Sequence, residues 1–351
     1  MRWFFVKFAL YMRYQEYIHP GPFAFEAGGT LENIHIAFHT SERAYRPGDK
    51  VVLVCHPLTA DSNLEEWWPG LVGPGKFIDP EKYFVFCVNM LGSCYGSEGP
   101  GSINPATRKP YYFSFPKVTV RDIARAISLV RRHLGIPVID LLIGCSIGGF
   151  QALELAIMEP DTIRKAVFMA TTSRVSPWLS AFEETQRMAL EADPSFRAAE
   201  NLDGGKAGLR CARTVALLSY RCDLGYNARQ GETDPDVMFP QRASRYHQYQ
   251  GEKFVEHFNA YSYWYLSYAV DSVNVGRGRG GVEKALGRIT AETLVLSFET
   301  DLIFPPHDMV HIAEAIPGAR YAEIPTIFGH DGFLIETEKI AELVRPMLET
   351  L

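Results

Sequence analysis

The pentapeptide Gly144-Cys145-Ser146-Ile147-Gly148 follows directly on the apolar run Ile139-Asp140-Leu141-Leu142-Ile143. A small-x-Ser-x-Gly turn between a buried strand and a helix bends the chain sharply at the serine, and the flanking glycines leave its hydroxyl room to project. That geometry suits attack on an acyl carbon. A serine at neutral pH is a poor nucleophile, however. It needs a histidine base, and the histidine needs a carboxylate that fixes its tautomer and stabilises the imidazolium.

Where the nucleophile stands on a strand-turn-helix elbow, the acid and the histidine follow it in that order along the chain. Asp301 stands just past the apolar run Thr293 to Phe298, in Glu299-Thr300-Asp301-Leu302-Ile303-Phe304-Pro305-Pro306, and His330 follows in the glycine-flanked stretch Phe328-Gly329-His330-Asp331-Gly332-Phe333. Glu299 competes for the role of acid, but Asp301 before the Pro-Pro loop is better placed. An oxyanion hole needs the N–H after the nucleophile, that of Ile147, and a second from the loop after an early strand, His56-Pro57-Leu58-Thr59-Ala60-Asp61. Pro57 has no N–H to give, so Leu58 is the expected donor and His56 a support for the loop. His307 and His311 have the i, i+4 spacing of a metal pair, yet no glutamate follows the first histidine; they read as a solvated helix face, and no metal is expected.

The elements that must position these groups alternate. Val51 to Cys55, Tyr83 to Val88, Ile139 to Ile143, Lys165 to Ala170 and Thr293 to Phe298 are short, nearly continuous apolar runs, as in strands covered on both faces. Between them, Val120 to Leu134 places Ile123, Ile127, Val130 and Leu134 on one helical face, and Gly149 to Glu159 follows the elbow with helix-forming residues. Such alternation predicts an α/β fold with a mostly parallel sheet flanked by helices. From about residue 171 to 288 the alternation stops and the sequence turns helical and aromatic, which predicts a helical lid inserted into a core formed by residues 21–170 and 289–351. The run Tyr261 to Leu266 is expected to pack within that lid or against another copy. Residues 1–20 read as a leader or a weakly ordered N-terminus.

Composition narrows the possibilities. The 351 residues are 47% apolar and 22% charged, enough for a sizeable core, and the net charge of −6 argues against a general nucleic-acid surface. Six cysteines without C-x-x-C spacing fit reduced thiols in a cytoplasmic protein. No run reaches the roughly 20 apolar residues of a membrane span.

With these residues in place, the chain resembles the homoserine O-acetyltransferase family of α/β-hydrolase-fold acyltransferases. The resemblance runs from about Phe23 to the C-terminus and is carried by His56 to Thr59, Trp67 to Lys76, Asn89 to Ser97, Ser102 to Thr107, Gly144 to Gly149, Tyr249 to Phe254 and the segments around Asp301 and His330. It implies a ping-pong reaction in which Ser146 takes an acetyl group from acetyl-CoA, or another acyl-CoA, and passes it to the hydroxyl of L-homoserine in methionine biosynthesis. It also implies a homodimer. By the family pattern Arg221 meets the acceptor's carboxylate and Asp331 its ammonium, while Thr59 and Tyr226 line the pocket. Coenzyme A carries phosphates, and Arg277 and Arg279 are the candidates for a basic tunnel mouth. Pro57, Ala60 and Ile147 stand where the family commonly has alanine, glycine and methionine. These departures adjoin the acyl pocket and leave succinyl transfer and serine as acceptor open. A serine esterase or thioesterase, and a noncatalytic binding protein of the same fold, are the alternatives outside transfer.

Overall fold

The computed structural model describes residues 11–351. Its centre is one eight-stranded sheet built from β1 (Met12–Ile18), β2 (His35–Ser41), β3 (Val51–Cys55), β4 (Phe84–Val88), β5 (Ile139–Cys145), β6 (Ile163–Met169), β7 (Glu292–Phe298) and β8 (Arg320–Ile324). The order across the sheet is β1-β2-β4-β3-β5-β6-β7-β8. The first two pairings in that order are antiparallel and every later one is parallel. Every residue of β3, β4 and β5 is buried, which explains why these strands read as unbroken apolar runs rather than alternating ones.

Two helices secure the parallel half. Helix α1 (Val120–His133) begins at a capping box in which the Thr119 hydroxyl accepts from the Asp122 N–H and the Asp122 carboxylate accepts from the Thr119 N–H. Its buried residues Ile123, Ile127 and Val130 are those of the expected face. Helix α2 (Ile147–Met158) is buried almost all round. The two faces of the sheet carry separate apolar clusters, one against α1, α2 and the inserted helices and the other against the C-terminal helix.

Between β6 and β7 the chain leaves the sheet for a series of helices. The longer ones are α3 (Pro177–Glu191), α4 (Lys206–Tyr220), α5 (Asp223–Gln230), α6 (Arg242–Phe254) and α7 (Ala260–Asp271). The tyrosines of the 261–266 run are core residues here. Tyr261, Tyr263 and Tyr265 are buried, and the hydroxyls of Tyr261 and Tyr265 donate to the carbonyls of Phe196 and Phe115 at 3.0 and 2.7 Å.

The N-terminal expectation needs correction. Residues 1–10 lie outside the described residues, but Met12–Ile18 is a regular edge strand paired residue for residue with Ser41–His35. Only Met12 of it is buried; the rest are exposed or half-buried, with polar residues on both faces, so the strand carries no apolar run.

Candidate active site

Parallel strands deliver their carboxyl ends to one edge of a sheet, and four such ends converge here. Cys55 of β3 pairs with Gly144 of β5, Cys145 with Met169 of β6, Met169 with Leu296 of β7, and Phe298 with Ile324 of β8. The loops that leave β3, β5, β7 and β8 therefore open side by side, and they carry Leu58, Ser146, Asp301 and His330.

Ser146 occupies the bend between β5 and α2 with φ +58° and ψ −130°. Such a conformation costs a side-chain-bearing residue about 1–3 kcal/mol, so the surroundings must hold it. The Ser146 N–H donates to the carbonyls of Met169 and Ala170 at 3.1 Å each, while its own carbonyl accepts from the Thr171 hydroxyl at 3.0 Å and the Gly149 N–H at 2.8 Å. The neighbouring glycines are there for space. A Cβ at Gly148 would lie 2.7 Å from the carbonyl carbon of Cys55, and one at Gly149 would lie 2.5 Å from the Thr171 side chain.

His330 joins the other two groups. Its Nε2 lies 2.9 Å from Ser146 Oγ and its Nδ1 2.7 Å from Asp301 Oδ2. The remaining oxygen of Asp301 accepts from the N–H groups of Ile303 and Phe304, both at 3.0 Å, so the carboxylate cannot rotate without stranding two donors. Rings of Phe304, Phe333 and Tyr220 surround the imidazole with centroids 5.1 to 5.5 Å away. Asp301 and His330 are each 3% exposed and Ser146 9%. Glu299, by contrast, is exposed. This chain can relay a proton from a serine hydroxyl into an imidazole whose tautomer is fixed from behind.

A cavity of about 70 Å³ opens on Ser146, bordered by Leu58, Thr59, Arg213, Tyr220 and Asp331 among others. The N–H of Ile147 belongs to the first residue of α2, where a helix has no internal acceptor to offer. Among the described residues neither that N–H nor the one of Leu58 forms a hydrogen bond. His56 is fully buried, its pKa is pushed down to about 4 by that burial, and its Nδ1 lies 2.9 Å from the Pro57 carbonyl; it stiffens the loop in neutral form.

The expected substrate contacts are divided by the structure. Thr59 and Asp331 border the cavity, but Arg221 does not: its guanidinium is ion-paired with Asp331 and faces an adjoining cleft together with Tyr226. The cation that borders the Ser146 cavity is Arg213. One of its terminal nitrogens is buried without a hydrogen-bond partner among the described residues, and the guanidinium lies 4.8 Å from the Phe254 ring centre. Its place was legible in principle. Arg213 is four residues from both Leu209 and Leu217, on the buried face of α4, and a charge on an apolar helical face needs a partner. Tyr220, whose phenol is pushed up to about 12 by burial, was missed for want of any such pattern.

Arg277 and Arg279 also lie elsewhere than expected. Arg277 pairs with Glu26 at 2.9 Å and Arg279 with Glu154 at 2.7 Å, and Arg121 shares both carboxylates, in a network that ties the loop after α7 to α1 and α2 away from the Ser146 cavity. His307 and His311 contact Asp308 and Glu283 singly; among the described residues no three His, Cys, Asp or Glu side chains are grouped to hold a metal. No helix among them is long and apolar enough to cross a membrane.

A nucleophile elbow, its acid and its histidine on the carboxyl edge of a largely parallel sheet define the α/β-hydrolase fold, and the family model of that fold matches residues 50–336. More specific likenesses follow. The chain is 42% identical over 320 residues to the homoserine O-acetyltransferase of Cyclobacterium marinum, covering 91% of each chain. It is 40% identical over 345 residues to that of Thermus thermophilus, covering 92% of this chain and 88% of that one. A solved homoserine O-acetyltransferase from Staphylococcus aureus superposes with a TM-score of 0.79 at 31% identity, over 96% of this chain and 95% of that one. The chain belongs to the homoserine O-acetyltransferase family. Esterase E22 superposes with a TM-score of 0.86 at 21% identity over 96% of this chain and all of that one, which shows that hydrolases share the fold.

Proposed function

We propose that this enzyme transfers an acetyl group from acetyl-CoA to the hydroxyl of L-homoserine by way of an acetyl-Ser146 intermediate. The observation that carries the reading is the hydrogen-bonded chain Asp301–His330–Ser146 within a chain whose relatives bear that activity in their names. In the first half-reaction Ser146 Oγ attacks the thioester carbon as its proton passes to His330 Nε2. The N–H groups of Leu58 and Ile147 receive the developing oxyanion, and the thiolate leaves with the proton from His330. In the second half-reaction His330 takes the proton of the acceptor hydroxyl as that oxygen attacks the acetyl-serine, then returns it to Ser146 Oγ as the ester bond to the serine breaks and the O-acetyl product leaves. The reading carries with it a place in methionine biosynthesis, in the cytoplasm and as a homodimer, with residues 171–288 acting as a lid.

Transfer competes with hydrolysis only if the acceptor is held and water is not. A small cavity bordered by Arg213 and Tyr220 of α4 supports that division of labour. Arg213 is the group we assign to the acceptor's carboxylate, a charge-assisted contact of about 1.5–3 kcal/mol. Asp331 is assigned to its ammonium, in exchange for Arg221. The test incubates the protein with acetyl-CoA or succinyl-CoA against homoserine or serine, and reads free thiol and O-acyl product together. Acetyl-CoA with homoserine should release thiol and O-acyl product in equal amounts, Ser146→Ala should show no acetylated protein by mass spectrometry, and Arg213→Lys should raise the homoserine requirement by about tenfold or more. Thiol release without O-acyl product overturns the reading in favour of a hydrolase.

A further inference from the structure

The cavity at Ser146 has a neighbour. A second cleft, about 60 Å³, lies between the inserted helices and the segment 327–335, bordered by Arg221, Tyr226, Arg229, Tyr246 and Phe328. One stretch of chain is the wall of both: Phe328 faces the outer cleft while His330 and Asp331 face the inner cavity, and on the opposite side Tyr220 borders the inner and Arg221 the outer. The ion pair between Arg221 and Asp331 stands at the junction.

The outer cleft is built for an anion. Arg229 forms no ion pair among the described residues, and its guanidinium lies 4.7 Å from the ring centre of Phe328, which holds it at the cleft without neutralising it. The hydroxyl of Tyr226 is shielded from solvent and has no hydrogen-bond partner among them, an arrangement that costs about 1–3 kcal/mol unless a ligand meets it. The Tyr246 hydroxyl lies 3.4 Å from Arg221 Nη2, so two phenols and two guanidinium groups share the opening. Arg277 and Arg279, the arginines expected at a basic mouth, border neither the cleft nor the inner cavity and are ion-paired with Glu26 and Glu154.

We infer that this outer cleft takes the phosphate-bearing end of the acyl donor, with Arg229 on the phosphates and the Tyr226 and Tyr246 hydroxyls on the linking arm, so that the thioester end reaches Ser146 past the Arg221–Asp331 pair. The inference rests on the acyl-CoA reading above. It assigns the recognition of a nucleotide phosphate to α5 and α6.

The full-length protein tests it with acetyl-CoA, with acetyl-pantetheine, which keeps the thioester and lacks the nucleotide, and with adenosine 3′,5′-bisphosphate as competitor. Ser146 acetylation of the wild-type protein by acetyl-CoA is read first by intact mass; its absence overturns the function reading and this inference with it. Given acetylation, Arg229→Gln should raise the KM for acetyl-CoA by about tenfold or more relative to that for acetyl-pantetheine, and weaken inhibition by the bisphosphate to the same degree. Tyr226→Phe should shift the acetyl-CoA KM in the same direction by less. Arg277→Gln removes one surface charge of the same sign away from the cleft and should leave that KM ratio unchanged. A ratio within twofold of wild type in Arg229→Gln, or an equal shift in Arg277→Gln, overturns the phosphate site and leaves the acetyltransferase reading intact.

Discussion

Replacing Asp301 by asparagine should disable Ser146 without moving it. The two carboxylate oxygens have different duties: Oδ2 accepts from His330 Nδ1 at 2.7 Å, and Oδ1 accepts from two backbone N–H groups at 3.0 Å each. An amide in the same place must keep its oxygen towards the two N–H donors. The opposite orientation would set an NH2 against them and strand both, at about 1–3 kcal/mol each, so the flipped amide is held to at most a few per cent. The NH2 then faces His330 Nδ1 and donates to it. That forces the proton of the neutral imidazole onto Nε2, the atom that must accept from Ser146 Oγ. A histidine in the wrong tautomer is no base, and in triads of this geometry the loss is on the order of 10⁴ in rate, or about 5.5 kcal/mol of transition-state stabilisation. Thiol release in a single turnover of Asp301→Asn with acetyl-CoA should fall by about that factor. Thermal unfolding should shift by no more than a few degrees, because the replacement has the same shape, and ¹⁵N NMR of the imidazole should find its proton on Nε2. A loss under about tenfold, or a proton still on Nδ1, refutes the coupling of the carboxylate's two anchors to the base.

Two further outcomes test the scaffold. Gly148→Ala places a Cβ against the Cys55 carbonyl carbon at 2.7 Å and the His56 oxygen at 3.0 Å, all of them rigid backbone, so α2 must separate from β3. Stability should fall by about 1–3 kcal/mol, read as a lowered Tm, and acylation should fall with it because the Leu58 loop moves away from Ile147. Glu183 of α3 is fully buried near the charge of Asp271, and burial first, then that charge, pushes its pKa up to about 8 against the opposing pull of Arg187. The folded state therefore holds a proton that the unfolded chain releases near its ordinary pKa of 4.5, and stability is lost as pH rises from there to about 8. Glu183→Gln should flatten the fall of Tm across that window relative to wild type, and parallel curves would refute the assignment.

The core was legible because its strands are buried on both faces. Val51 to Cys55 and Ile139 to Ile143 carry no polar alternation to confuse them, and the order serine, acid, histidine along the chain matches the order in which β5, β7 and β8 reach the carboxyl edge. The edge strand Met12–Ile18 failed the same test because every residue after Met12 is exposed or half-buried. Cations were harder. Arg221, Arg277 and Arg279 stand in conspicuous local sequence, but the partner of a charged side chain comes from another part of the fold, and Asp331, Glu26 and Glu154 lie 110, 251 and 125 positions away in the chain. Arg213 has no motif around it, and only the helical period of α4, with Leu209 and Leu217 four residues on either side, turns it inwards.

That difference follows from how the two parts are built. The hydrogen bonds that fix Ser146, His330 and Asp301 come largely from backbone groups two or three residues away or from adjacent strand ends, so a short motif and a strand order specify them. The groups that border the cavity opposite Ser146 are side chains of α4, a helix anchored by packing against α3 and α6 rather than by a sheet register. A helix held by side-chain contacts can shift or rotate at a lower cost than a strand within a ladder, where a slip by one residue turns every side chain over. The covalent chemistry we propose thus rests on the rigid layer, while Arg213, Tyr220 and Arg221 rest on the layer that sequence changes can move. Substitutions in α4 to α6 should accordingly alter which acceptor and donor are used more readily than whether Ser146 can be acylated at all.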